Sequence, residues 1–155
     1  FYAADYDLGR SGMAYYDKDS ADYWVTTGKK TPWNSGGKYR NDGVDIQTCI
    51  DANTNGYSVG WIEDGEWLQY TINVKAKGVY TVRFMVSSNA ADGKLSLKNG
   101  DKTLGESAVP NNGGNQNWQT VELKGISLNA GVNKLRVYAD KGGWLFREMA
   151  FAKMR

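Results

Sequence analysis

The stretch Tyr57–Val74, YSVGWIEDGEWLQYTINV, constrains the fold of this chain more than any other. From Trp67 onward the residues alternate. Leu68, Tyr70, Ile72 and Val74 point to one side of a strand, and Trp67, Gln69, Thr71 and Asn73 to the other. One face is apolar and demands a core, while the other is polar yet keeps an indole. A flat aromatic among amides and hydroxyls, beside an acidic turn, suits a sugar ring, which has C–H groups on its faces and hydroxyls round its rim. Trp61 and Trp67 are equally ordinary as packing residues, and taken alone they leave both readings open.

Length and composition narrow the class. A chain of 155 residues is one domain, able to bury a core without disulfides or metals. Ten Tyr, six Trp and 19 Gly against two Pro fit many strands joined by tight turns rather than a helix bundle. The net charge of +2 comes from scattered residues, so no footprint for nucleic acid or an anionic membrane stands out. There is no His, which removes Ser-His-Asp and Cys-His catalysis and His-based metal sites. The lone Cys49 removes an internal disulfide and reads as a small buried apolar residue. No apolar run approaches the ~20 residues of a membrane span. With Phe1 first and no leader pattern, residues 1–155 read as a single module excised from a longer protein.

Along the chain, FYAADYDLGRSGMAYYDKDSADY predicts two short strands about a turn at Leu8–Gly12, then the carboxylates Asp17, Asp19 and Asp22. These could gather a low-affinity Ca²⁺, but they lack the Gly and final Glu of an EF-hand loop and read as solvated charge. The polar stretch from Trp24 to Lys38 has no periodicity, and loops of that length tend to be functional. Its Trp24 and Trp33 have little apolar company nearby. A short strand is expected through Val44 and Ile46. Gly78–Ser88 alternates with Tyr80, Val82, Phe84 and Val86 on one face and Arg83 and Met85 on the other. Asn99-Gly100 is the strongest hairpin signal. Further strands are expected at Leu104–Val109, Trp118–Leu123, Val132–Tyr138 and Leu145–Ala152, with no helix. The fold class that follows is all-β, a two-sheet antiparallel β-sandwich of the jelly-roll kind.

The strings DYDLG…GMAYYD, YRNDGVDI, VGWIEDGEWLQYTINV, GVYTVRFMVSS, VP-NNGG-NQNWQTVEL and AGVNKLRVYAD resemble the family 6 carbohydrate-binding modules, with family 35 a close relative. The resemblance runs nearly end to end. It implies a jelly-roll module, attached to a secreted bacterial glycoside hydrolase, that binds polysaccharide and does no chemistry. The expected ligand is a β-glycan of plant cell walls (cellulose, mixed-linkage glucan, xylan or mannan), and the expected state is a monomer with no nucleic-acid or membrane partner.

Two surfaces are implied. At the loop-end site the first aromatic falls on Trp61. The second falls on Asn115, and a sugar-bonding Asn falls on Leu145, so both of those are altered. Trp24, Trp33 or Trp144 is expected to replace the missing ring, and Tyr39 joins the candidates. On the sheet face, Trp67 with Gln69 forms an indole platform beside an amide, and Arg83 and Met85 join it if their strand lies in the same sheet. The structural Ca²⁺ ligands of the family fall on Tyr2, Ala4 and Arg147, so no metal is expected, and Arg147 is expected to satisfy the carbonyls the ion would have bound.

Two rivals remain in view. One is a protein-interaction sandwich with a degenerate sugar site. The other is a small hydrolase using Glu63, Asp64 or Glu66, whose shared turn keeps them from flanking a glycosidic bond at ~5–9.5 Å.

Overall fold

Alternation along the chain becomes two facing sheets. A computed structural model describes residues 1–18 and 34–155. After a three-residue 3-10 turn at Ala3–Asp5 come ten strands: β1 Tyr15–Tyr16, β2 Ile46–Thr48, β3 Tyr57–Val59, β4 Trp67–Val74, β5 Gly78–Ser88, β6 Lys94–Asn99, β7 Lys102–Ala108, β8 Gln119–Leu128, β9 Gly131–Lys141 and β10 Trp144–Lys153. One sheet has the order β1-β4-β9-β6-β7 and the other β2-β3-β10-β5-β8, with every strand pair antiparallel. Where a strand was expected at the N-terminus the chain makes the 3-10 turn instead.

Leu68, Tyr70, Ile72 and Val74 of β4 face Val82, Phe84 and Val86 of β5 and Phe146 and Met149 of β10 in one buried cluster. Phe146 and Met149 are three residues apart, which strand alternation forbids unless a residue is inserted. The register between β10 and β5 slips at that point, leaving Arg147 as the extra residue of a β-bulge. The β6–β7 hairpin turns at Gly100-Asp101, one residue beyond the sequence signal, with Asn99 paired to Lys102 and Gly100 at φ 59°. Tyr70 Oη donates to Ala3 O (2.7 Å), tying the N-terminal turn to the core. Cys49 is buried.

The condition for Arg83 and Met85 to join Trp67 is not met. β5 pairs with β8 and β10, so both lie on the outer face of the second sheet and not beside Trp67. No helix among the described residues is long and apolar enough to cross a membrane.

Candidate functional site

Strand direction brings four loops to one end of the second sheet. β3 and β5 end there and β8 and β10 begin there, as the pairs Val59↔Phe146, Ser88↔Trp144 and Val86↔Gln119 require. Between the loops lies a pocket of about 570 Å³ lined by Gln47, Ile50, Trp61, Asn115, Gln116 and Leu145, with Ser87 and Asn89 from the end of β5. That volume falls in the range of small-ligand sites. Leu145 and Ser87 are cross-strand partners, so both side chains rise on the outer face and form the floor.

Trp61 forms one wall. It follows Gly60, whose amide donates to Asp45 O (3.0 Å) and where a Cβ would press on Leu145 and Gln47. Its backbone adopts φ 48°, and the indole is 51% exposed. A non-glycine residue of this bulk in the left-handed region is strained, and the close packing at Gly36 and Gly60 that imposes the conformation keeps the ring over the pocket. The indole rests on Gly36, where a Cβ would lie 3.1 Å from Trp61 Cζ3 and 2.1 Å from Ile46 O. Gly36→Ala is therefore expected to push Trp61 off its seat. Thermal melting should show a loss of ~1–3 kcal/mol, and sugar binding should weaken in the same variant.

The facing wall is the loop before β8. Gly113, Gly114, Asn115 and Gln116 are all left-handed, at φ 90°, 64°, 54° and 58°. The loop is pinned from both sides. Gly114 N donates to Ser88 O (3.0 Å), Gln116 Nε2 donates to Thr48 O (2.9 Å), and Gln116 Oε1 accepts from Ile50 N (3.3 Å). Asn115 is thereby held exposed at the rim, an amide standing where the resemblance implies an aromatic.

The other candidates are placed differently. Trp144 borders the same pocket, but it is 3% exposed, packs edge-on to Phe146 and donates Nε1–H to Lys141 O (2.7 Å), so it sits at the base of the pocket as a core residue and presents no open face as a second ring. Tyr39 is exposed but stacks on Tyr57 at 4.5 Å, donates to Asp5, and does not line the Trp61 pocket. Trp24, Trp33, Asp19 and Asp22 lie outside the described residues. Asp17 is buried.

On the outer face of the first sheet, Trp67 is half-buried and Arg136 Cζ lies 3.8 Å from its ring centroid. Gln69 donates to Asp7 Oδ2 (3.0 Å) and accepts from Arg136 Nε (3.0 Å). The indole expected to be bare is covered by a cation, and both ends of the neighbouring amide are engaged within the fold.

Arg147 differs from its expected role. Nη1 donates to Asp51 Oδ2 (2.5 Å) and Nη2 to Glu148 Oε1 (3.4 Å), so both Nη groups meet carboxylates and not orphaned carbonyls, while the buried Nε has no hydrogen-bond partner among the described residues. Ala4 is wholly buried and Tyr2 forms a bridge to Glu148. Tyr2, Ala4 and Arg147 supply no carboxylate and add a positive charge, so they do not fit a divalent cation. Among the described residues no group of three His, Cys, Asp or Glu is placed to hold an ion.

The acidic turn serves the scaffold. Asp64 accepts from Gly142 N (2.8 Å) and pairs with Lys141 (3.0 Å). Glu66, 8% exposed, accepts from Glu63 N (3.0 Å) and Lys18 N (3.1 Å). Burial is the largest influence on Glu66 and pushes its carboxyl up to about 7, against the two amide donors. A carboxyl whose pKa is raised by folding stabilises the protein fully below its unfolded value near 4.5, and that contribution is lost as pH rises to about 7. Melting followed from pH 4.5 to 7.5 is expected to show a decline on the order of 3 kcal/mol from this group. Glu66→Gln should flatten the profile.

Comparison with known proteins gives a consistent picture. The family model for Carbohydrate binding module (family 6) matches residues 37–152. Module CBM6cm-2 of Cellvibrio mixtus lichenase 5A, solved with cellotriose, is 30% identical with a TM-score of 0.66, covering 73% of this chain and 88% of that one. The C-terminal family 6 module of LamC, a marine laminarinase of Zobellia galactanivorans, is 32% identical with a TM-score of 0.65, covering 77% and 96%. The clotting factor G alpha subunit of Tachypleus tridentatus is 32% identical over 104 residues, 65% of this chain and 15% of that protein. Beta-agarase AgaA of Microbulbifer thermotolerans is 30% identical over 115 residues, 64% and 26%. The chain thus spans about a quarter or less of the length of these two curated relatives.

Proposed function

The chain belongs to carbohydrate binding module family 6, and from that premise we propose that it holds a β-glucan chain in the loop-end pocket with Trp61 as the stacking platform. The reading rests on one observation: a half-exposed indole held in a left-handed backbone at the mouth of a 570 Å³ pocket. The sugar's C–H face lies on the indole, and the amides of Gln47, Asn89 and Asn115 meet its hydroxyls. Modules of this family bind and do not catalyse. With one aromatic wall and one amide wall, the affinity expected is micromolar to millimolar, or ~−4 to −8 kcal/mol.

The similar module solved with cellotriose, and the other taken from a laminarinase, support β-1,4- and β-1,3-glucans as the first polymers to try. Xylan and mannan are the next. The wider setting belongs to the same proposal: a monomeric, secreted bacterial module, joined in one polypeptide to a glycoside hydrolase that it keeps against its substrate, raising the effective concentration. The fold is proposed to need no calcium. Affinity gel electrophoresis against a panel of β-glucans, xylan and mannan tests the function. Retardation by at least one β-glucan is expected, and free migration in every gel would refute it.

A further inference from the structure

At the end of the sandwich opposite Trp61, β4, β8 and β10 finish and β5 and β9 begin. The turns Lys75-Ala76-Lys77 and Asn129-Ala130 join them. The core does not close here. Ile72, Val74 and Leu128, all members of the buried cluster, floor a groove of about 310 Å³ walled by the rings of Phe1, Tyr80 and Phe151, with Lys75 and Lys153 on its rim. A volume at the lower end of the small-ligand range sets a small occupant.

The rings are fixed rather than loosely folded over the gap. Tyr80 Oη donates to Ala76 O (2.6 Å), which draws the phenol onto the turn. Phe1 meets Phe151 edge-on, with centroids 5.8 Å apart and planes at 89°. Its backbone is held by Met149, since Phe1 N donates to Met149 O and Met149 N to Phe1 O, each at 2.8 Å. Phe1 still remains 59% exposed. An aromatic body seated among these rings would cover that surface and gain stacked or edge-on contacts.

The rim is positive. Lys94, Lys124 and Lys141 each pair with a carboxylate, whereas Lys75, Lys77 and Lys153 have no ion pair among the described residues. Neither connecting turn holds an acid, and Asp101 in the β6–β7 turn does not line the groove. Lys153 pairs with Tyr80 across β5 and β10, and a Cβ on Gly78 would lie 2.5 Å from Lys153 Cε. The glycine therefore leaves room for the lysine stem to lie across the start of β5, apolar carbons inward and ammonium at the rim.

We propose that this groove is a binding site for small aromatic carboxylates. The aryl body enters among Phe1, Tyr80 and Phe151 above Ile72 and Leu128, and the carboxylate meets the ammonium groups of Lys75 and Lys153. The site lies at the far end of the sandwich from the Trp61 pocket and is independent of glucan binding there.

Amide chemical-shift titrations with cinnamate, its uncharged counterpart cinnamamide and the alkyl acid hexanoate test this. Cinnamate should give saturable shifts at Val74, Lys75, Tyr80, Leu128, Phe151 and Lys153 and leave the Trp61 indole N–H unmoved. Cinnamamide should bind about threefold or more weakly, as expected for the loss of two exposed ion pairs, and hexanoate about two- to tenfold more weakly for want of ring contacts. Lys75→Gln with Lys153→Gln should bring cinnamate and cinnamamide to the same affinity, while Lys38→Gln with Lys134→Gln, exposed positions away from the groove, should preserve the difference. Phe1→Ala should weaken cinnamate two- to tenfold. Unchanged cinnamamide binding and β-glucan retardation in the double lysine variant would show that its fold is intact. The proposal is overturned if cinnamate gives no saturable shifts at the groove, if its shifts gather at Trp61, if cinnamamide or hexanoate binds as tightly, or if the double lysine variant keeps the preference for the charged ligand.

Discussion

Trp61→Ala is expected to lose retardation in β-glucan gels while melting within a degree or two of the parent. The indole is half-exposed and its removal opens no core cavity, so the cost falls on binding. Stacking of this kind contributes ~1–3 kcal/mol, a weakening of roughly 5- to 150-fold. From a millimolar or micromolar start, that takes most of the measurable affinity. Trp67→Ala provides the contrast. Its ring lies under Arg136 and beside Tyr138, so its loss should leave neutral glucan binding intact. Loss of neutral binding in Trp67→Ala alone would move the site to the sheet face.

Arg147→Ala is expected to give a large stability effect. The guanidinium is buried in the β10 bulge, with side-chain exposure of 10% against 32% for its partner Asp51. Removing it leaves a partly buried carboxylate unpaired. Breaking fully buried pairs costs several kcal/mol, and the partial exposure of Asp51 lowers the expectation to ~2 kcal/mol. For a domain of this size that is a fall in Tm of ~4–8 °C. The pair also fastens the loop after β2, whose Ile50 amide is held by Gln116 at the pocket wall, so glucan affinity should drop with it. Chelator should not change the Tm of the parent. A fall of several degrees on chelation would show that a metal, and not this ion pair, secures the region.

Much of the fold was legible in the sequence because alternation is a local property. The inward set of β4, Leu68 to Val74, and Val82, Phe84 and Val86 of β5 follow from a period of two and appear as read. Which strands share a sheet is not local, and whether Arg83 and Met85 join Trp67 was for that reason left conditional until the sheet order placed β5 in the second sheet. Trp144 shows a second limit. Its adjacency to Leu145 suggested a shared site, and both border the pocket, yet neighbours on a strand face opposite ways, so Leu145 forms the open floor while the Trp144 ring turns into the core, where it is 3% exposed.

Arg147 shows a third limit. A bulge breaks the period by one residue, and nothing in FREMAF announces it. At the pocket, Trp61 and Asn115 were identified through the family resemblance, whereas Gln47, Ser87 and Gln116 were not. They are joined only by cross-strand neighbours and a side-chain clamp spanning 66 to 68 positions. The cation on Trp67 was hidden for the same reason, because Arg136 meets the ring through strand pairing alone.

The central claim is that a neutral glucan enters at the loop end and not on the sheet face. The most direct test is an amide chemical-shift titration with cellotriose and with a laminari-oligosaccharide of equal length. Shifts gathered at Gln47, Trp61, Asn115, Gln116 and Leu145, together with the Trp61 indole N–H, are the predicted result. Shifts confined to Trp67, Gln69, Arg136 and Tyr138 would contradict it.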